Sequence, residues 1–99
     1  MILVTGAVTA RPDSFEALLE ASLAHVRRSR TEAGCLAHAV HVDAEDPLRL
    51  VFVERWADAD ALLTHFRQPG SAEFMGQVRE LAASTEPLET HRMEPVKLG

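Results

Sequence analysis

The sequence lacks the features that define several large classes of proteins. Its 99 residues include one cysteine, Cys35, so no disulfide can form within the chain, and we expect a cytoplasmic location. No apolar run approaches the roughly 18 residues that cross a bilayer. The N-terminus has neither the basic start nor the long apolar run of a signal peptide. We therefore predict no membrane span and no membrane partner.

Basic side chains are also scarce. The net charge is -5, and the nearest thing to a basic cluster is Arg27, Arg28 and Arg30. Binding to nucleic acid needs a basic surface that neutralises phosphates, so we predict no nucleic-acid partner. Low-complexity tracts, linkers and repeats are absent, and a chain of this length is expected to form a single domain over residues 1–99.

The common catalytic motifs are missing as well. There is no phosphate-binding glycine loop, nucleophile elbow, CxxC pair or HExxH helix, which counts against hydrolases, kinases, dinucleotide-dependent enzymes and zinc enzymes. His38 and His41 are three apart on a predicted strand, so they point to opposite faces and cannot share a metal. We therefore predict no metal and no cofactor.

The first half of the chain is predicted to contain a strand and a helix. Ile2–Thr9 is rich in Ile, Val and Thr, which favour strands. Asp13 is the predicted helix N-cap, with Glu16 at the spacing of a capping box. The helix runs to about Arg30, and its apolar stripe is Phe15, Leu18, Leu19, Ser22, Leu23 and Val26.

A hairpin follows, with strands at Cys35–Val42 and Leu48–Trp56 joined through residues 43–47. In the second of these strands both faces are largely apolar, as in a sheet that is covered on both sides. One face carries Leu50, Phe52, Glu54 and Trp56, and the other carries Val51, Val53 and Arg55.

The last part of the chain completes a βαββαβ order. Asp58 is the predicted N-cap of a short helix, and residues 68–71 (Gln-Pro-Gly-Ser) break it. A further helix over about 72–83 precedes a last strand over 88–96. This order predicts a ferredoxin-like α+β protomer with a four-stranded antiparallel sheet and a split second helix. Helices cover one sheet face, so we expect a second copy to cover the other in a homodimer.

Several polar residues are candidates for chemistry. His38 is predicted to be buried or to line a pocket, and His65 lies beside Phe66; a hydrogen-bonded core histidine is the simpler interpretation of each. His25 is predicted to be a solvated residue at the edge of the helix stripe. Glu54 is a charge on an apolar face, either ion-paired with an arginine or a pocket carboxylate with a raised pKa.

Three spaced motifs resemble the antibiotic biosynthesis monooxygenase family. They read G-C-L-x-(aromatic)-x-V-x-x-D-x-x-D-P, then E-x-W-x-D-x-x-A-L-x-x-H-F/L, then x-x-P-H-F-x-x-F. The matching residues are Gly34, Cys35, Leu36, Val40, Asp43, Asp46, Pro47, Glu54, Trp56, Asp58, Ala61, Leu62, His65, Phe66, Pro69 and Phe74. The resemblance implies a dimeric α+β barrel with an apolar pocket between sheet and helices in each subunit.

Some positions depart from the family pattern. The usual tyrosine after G-C-L-x is His38, and the usual P-H-F is Pro-Gly-Ser at residues 69–71. In the haem-degrading members, the resemblance implies that an asparagine corresponds to Thr5, a tryptophan to His65 and an iron-binding histidine to about Met75. All three positions differ here, so we expect no haem degradation.

The resemblance implies a cofactor-independent monooxygenase that oxidises a small electron-rich aromatic, quinol-like or anthrone-like, with O2. His65 is the first candidate for the base and His38 the second, with Thr5 or Arg55 holding the substrate anion and Glu54 in the pocket. The expected apolar walls are Phe52, Trp56, Phe66 and Phe74. Two alternatives stay open: a non-catalytic dimer that binds a small aromatic molecule, and an isomerase in which a histidine and Glu54 move protons.

Overall fold

Four antiparallel strands form one sheet in the computed structural model, which describes residues 1–99. The elements are β1 (Ile2–Ala10), α1 (Phe15–Ser29), β2 (Cys35–Asp43), β3 (Asp46–Trp56), α2 (Ala59–Phe66), α3 (Pro69–Leu81) and β4 (Ala82–Arg92). The strand order is β2-β3-β1-β4. The predicted ferredoxin-like α+β fold with a split second helix is therefore confirmed. None of the helices combines the length and the apolar character needed to cross a membrane.

The inner face of the sheet carries the core because alternate residues of β1 and β3 point toward the helices. One apolar cluster joins β1 and β3 to α1 and α3. A second, smaller one lies at the other end of the same strands, against α2. The first contains Val8, Ala10, Leu18, Val26, Leu50, Phe52, Phe74 and Val78, and the second contains Ile2, Val4, Trp56 and Leu62.

The predicted capping box of α1 is wrong. The N-cap is Ser14 rather than Asp13, and it makes no side-chain capping bond. Its hydroxyl instead accepts from the backbone N–H of Arg11 at 3.1 Å and donates to the carbonyl of Leu81 at 2.7 Å. The buried Ser14 therefore ties the start of α1 to the end of α3, a contact between residues far apart in sequence.

The hairpin and the split helix are close to prediction. Asp43 pairs with Asp46, so only two residues form the turn and Pro47 lies inside β3. Asp58 caps α2 as predicted, its carboxylate accepting from the backbone N–H of Ala61 at 2.8 Å. Helix α3 begins at Pro69, three residues before the predicted start, because proline suits a first helical position that needs no N–H donor.

The last strand was predicted too late in the chain. β4 begins at Ala82 and ends at Arg92, instead of covering residues 88–96. Pro87 falls where the pairing with β1 shifts register, between the pairs Thr5–Glu89 and Ala7–Glu86. An edge strand tolerates proline at such an irregularity because no ladder hydrogen bond is required there.

The outer face of the sheet carries no helix. Leu3 and Val51 are partly exposed on this face, and Val53 is 37% exposed. Arg55 shares the face, so it points away from the helices. Within one chain, therefore, only the inner face of β3 is covered.

Gly34, between α1 and β2, has a positive φ of 82°. A Cβ there would also lie 2.5 Å from the Cβ of Ala61. We expect Gly34→Ala to lower the free energy of unfolding by about 1–3 kcal/mol, measured by urea denaturation. The matched control is Gly76→Ala in α3, where a Cβ meets nothing closer than 3.9 Å. Gly76→Ala should raise the free energy of unfolding by about 0.5–1 kcal/mol. Equal effects at both positions would mean that the positive φ and the close contact at Gly34 do not matter for stability.

Candidate active site

A cavity of about 460 Å³ lies between the inner face of the sheet and the helices, with one wall formed by β4. Its lining is mainly apolar. Phe52, Phe66 and Phe74 contribute aromatic rings. Three polar side chains, His25, Glu54 and His65, are each at most 6% exposed and reach the same space. An apolar cavity with a few convergent polar groups is the usual form of a small-molecule site.

The structure brings most of the predicted site residues to this cavity. Phe52, Glu54, His65, Phe66 and Phe74 line it. His38 and Trp56 do not line it but are fully buried among the same residues, with their rings 5.7 Å and 4.6 Å from that of His65.

Thr5 does not belong to this site. It pairs with Val53, and both side chains lie on the outer face of the sheet, whereas the neighbouring Val4 points inward and is fully buried. Arg55, the other candidate for holding an anion, is also on the outer face. Strand alternation therefore removes both candidates from the cavity.

His25 was predicted to be a solvated boundary residue, and this is wrong. It is 6% exposed and stacks on Phe74, with ring centroids 4.3 Å apart and an interplanar angle of 10°. The face that α1 buries includes Leu18, Ser22, His25 and Ser29. The predicted stripe already contained Leu18, Ser22 and Val26. Leu19 and Leu23 are only partly buried, and the small polar residues at helical spacing beside His25 were the signal in the sequence that the buried face extends to this histidine.

Three buried histidines thus meet from three elements: His25 from α1, His38 from β2 and His65 from α2. Their ring centroids are 5.4 Å (His25–His38), 5.3 Å (His25–His65) and 5.7 Å (His38–His65) apart. Each ring has one nitrogen that could bind a metal, and these three nitrogens lie within 4.8 Å of one another.

His65 is oriented by a carboxylate that the sequence did not reveal. Its Nδ1 lies 2.8 Å from Oε1 of Glu32, in the connection between α1 and β2. A carboxylate only accepts, so Nδ1 carries the proton and Nε2 of the neutral ring keeps a lone pair. This arrangement makes Nε2 a proton acceptor on the wall of an apolar cavity.

His25 has the opposite tautomer. Nη2 of Arg28 donates to its Nδ1 at 3.0 Å, so the proton of the neutral ring is on Nε2. Burial, reinforced by electrostatic repulsion from His38, His65 and Arg28, lowers the pKa of His25 to about 3. His25 is therefore a neutral hydrogen-bond donor at physiological pH.

Glu54 has neither of its two predicted environments. Its Oε1 accepts from Nε1 of Trp56 at 2.9 Å and lies 3.3 Å from Nε2 of His38, so no arginine pairs with it. Burial by itself would raise the pKa of Glu54, but the contacts with His38 and Trp56 outweigh it and hold that pKa below its ordinary value. The pocket therefore contains an ionised carboxylate rather than a protonated one.

Comparison with known proteins agrees with this fold. The family model described as antibiotic biosynthesis monooxygenase matches residues 1–77. A crystal structure from Deinococcus radiodurans superposes with a TM-score of 0.93 at 21% identity, over 100% of this chain and 99% of that one, which shows the shared fold. The crystal structure of an antibiotic biosynthesis monooxygenase matches with a TM-score of 0.82 at 25% identity, over 98% of this chain and 100% of that one.

A curated relative from Synechocystis, an uncharacterized protein, is 27% identical over 92 residues. That match covers 93% of this chain, and the chain spans 63% of the relative's length. The family model covers most of the chain, so this protein belongs to the antibiotic biosynthesis monooxygenase family.

The Glu54 contacts predict a stability effect. Glu54→Leu should lower the free energy of unfolding by about 1–3 kcal/mol, because the buried Trp56 indole N–H loses its acceptor. Glu54→Gln should lower the free energy of unfolding less, since an amide oxygen can still accept the hydrogen bond from the indole. The control is Glu89→Leu on the exposed edge strand, measured by the same urea denaturation. If Glu54→Leu and Glu89→Leu lower the free energy of unfolding equally, the buried contacts of Glu54 contribute nothing to stability.

Proposed function

We propose that this protein is a cofactor-independent monooxygenase that oxidises a small, planar, electron-rich aromatic molecule with O2 inside the cavity. The observation that carries the proposal is the His65–Glu32 pair on the wall of an apolar cavity of about 460 Å³. Membership of the family supports the reaction class, and the walls support the substrate class, because three phenylalanine rings favour a flat apolar molecule.

The first step is removal of a proton from the substrate. A phenol or anthrone becomes electron-rich enough to give an electron to O2 only as its anion. Nε2 of His65 would accept that proton, and the Glu32 carboxylate would stabilise the resulting imidazolium, as in other carboxylate–histidine pairs. The apolar lining strengthens both interactions because it lowers the local dielectric constant.

The substrate anion also needs a hydrogen-bond donor. Nε2–H of His25 replaces the predicted Thr5 and Arg55 in this role, because it is neutral, buried and backed by the guanidinium of Arg28. For an anthrone-like methylene, one oxygen atom enters as the carbonyl and the other leaves as water. His65 returns its proton to that water, so atoms and electrons balance without a further reductant.

The test is dissolved-oxygen uptake by metal-stripped protein with a panel of hydroquinones and anthrones. His65→Ala should slow turnover by about 10²-fold to 10⁴-fold, because the general base is lost. Glu32→Gln should slow it less and shift its pH profile, since Glu32 only orients and stabilises the ring. His41→Gln, on the exposed part of β2, should leave the rate unchanged. Uptake that survives His65→Ala would rule out His65 as the base, and no uptake with any substrate would count against oxygenation.

A second candidate function is non-catalytic binding of a small aromatic molecule. It is favoured by Gly70, which stands where the resemblance implies a pocket histidine. The carbonyl of Gly70 accepts from Nη2 of Arg28 at 2.8 Å, and a side chain at this position would collide with that guanidinium. Trp56 is the only tryptophan and there is no tyrosine, so its fluorescence reports ligand retention directly. Retention without oxygen uptake would identify a binding protein, and oxygen-independent turnover would identify an isomerase.

We also propose that two copies pair through the outer face of the sheet, which Leu3, Val51 and Val53 make partly apolar. Val53→Arg should convert the dimer to a monomer in sedimentation-velocity measurements, because two guanidinium groups would be brought into the interface. Leu63→Arg is the control: Leu63 is 48% exposed on α2, away from the sheet, and the dimer should persist. A dimer that survives Val53→Arg with unchanged affinity would place the interface elsewhere.

A further inference from the structure

We infer that His25, His38 and His65 together bind one divalent first-row transition-metal ion of the zinc, cobalt and nickel type. The three side chains come from α1, β2 and α2, so the fold and not the local sequence assembles the site. Neutral imidazole nitrogens are preferred ligands for these ions, and three of them leave coordination positions open for water or another ligand.

The geometry is close to that of a bound state. The three ring nitrogens lie within 4.8 Å of one another. With metal–nitrogen distances of about 2.0–2.1 Å, tetrahedral ligands stand roughly 3.3 Å apart. The rings therefore need to approach by about 1.5 Å at most, which rotations about the side-chain bonds can provide.

His38 supplies an independent observation. Its side chain is fully buried, and neither ring nitrogen makes a hydrogen bond of good geometry. Buried polar atoms are nearly always paired, so an imidazole beside two others needs an explanation when its Nδ1 has no partner and its Nε2 has only the 3.3 Å contact with Glu54. Coordination of an ion would satisfy one of these nitrogens.

The nearby charges also favour a cation. Glu32 accepts from Nδ1 of His65, which is the contact that commonly orients a metal-binding histidine and leaves Nε2 for the ion. The carboxyl group of Glu54 lies 3.3 Å from Nε2 of His38. Two acidic side chains thus flank the three rings, and acidic groups beside such a cluster favour a cation there.

Arg28 opposes the binding of a metal ion by His25. Its guanidinium donates to Nδ1 of His25, so this ring must change tautomer and break that bond before its Nε2 can coordinate an ion. Arg28 keeps its second contact, with the carbonyl of Gly70. Arg28 therefore weakens the site, and its removal should tighten the binding of a metal ion.

The test is direct binding to the EDTA-treated full-length protein, with Zn²⁺ followed by calorimetry and Co²⁺ by its visible absorption. We expect one ion per chain. His38→Gln should weaken binding by about 100-fold, whereas His41→Gln and His91→Gln should leave it unchanged, because both of these histidines are exposed and lie outside the cluster. Circular dichroism and the melting temperature would check that each variant is folded.

Arg28→Gln gives a second readout that a surface site would not show. The glutamine amide can accept from a protonated Nδ1 of His25, so this variant should bind Zn²⁺ at least about threefold tighter than the wild type. Weaker or unchanged binding in Arg28→Gln would overturn His25 as a ligand. Binding that survives His38→Gln but is lost in His41→Gln or His91→Gln would overturn the site, and so would no binding at all.

The inference rests on the proposed function in one respect only: an ion on Nε2 of His65 occupies the lone pair of the proposed base, so Zn²⁺ should inhibit oxygen uptake. The metal site and the oxygenase activity can be tested separately. Metal binding without oxygen uptake supports the site and counts against the oxygenase. Oxygen uptake without metal binding overturns the site and leaves the oxygenase standing.

Discussion

The structure depends on the need to satisfy polar groups that are buried on the inner face of the sheet. Glu54 lies on β3 between the buried Phe52 and Trp56, where an unpaired carboxylate would be costly. The indole N–H of Trp56 donates to it, and His38 lies beside it on the neighbouring strand, paired directly in the register of β2 and β3. Because one carboxylate contacts both side chains, the register of the sheet and the orientation of the site are established together.

Small residues leave room for the cavity and for the histidines beside it. Gly6 on β1 and Ser71 and Ala72 on α3 line the cavity, and Ser22 and Ser29 lie on the buried face of α1 that carries His25. The hydroxyls of Ser29 and Ser71 donate to the backbone carbonyls of His25 and His65, each at 2.7 Å, so they are satisfied without filling space. In a close-packed interior, larger side chains at these positions would compete with the histidines for the same space.

The same three imidazoles can support two kinds of chemistry, and their hydrogen bonds decide which is accessible. Glu32 holds His65 in the tautomer that suits both a general base and a metal ligand. Arg28 holds His25 in the tautomer that suits an anion donor and disfavours coordination. The balance between a proton acceptor and a metal site therefore lies in residues outside the cluster, as is common for sites tuned by their surroundings.

The sequence by itself determined the order of the elements, the inner face of β3, the cap at Asp58 and the family, because periodicity, caps and spaced motifs are local properties. Strand alternation in β3 also put Arg55 on the face opposite Trp56, whereas the outer position of Thr5 follows from its pairing with Val53. Only the tertiary structure decided that His25, His38 and His65 meet, that Glu32 orients His65, and that His38 and Trp56 replace an arginine beside Glu54. These contacts join residues from separate elements, and they depend on the rotation of α1 about its axis and on sheet register, which follow from packing of the whole chain.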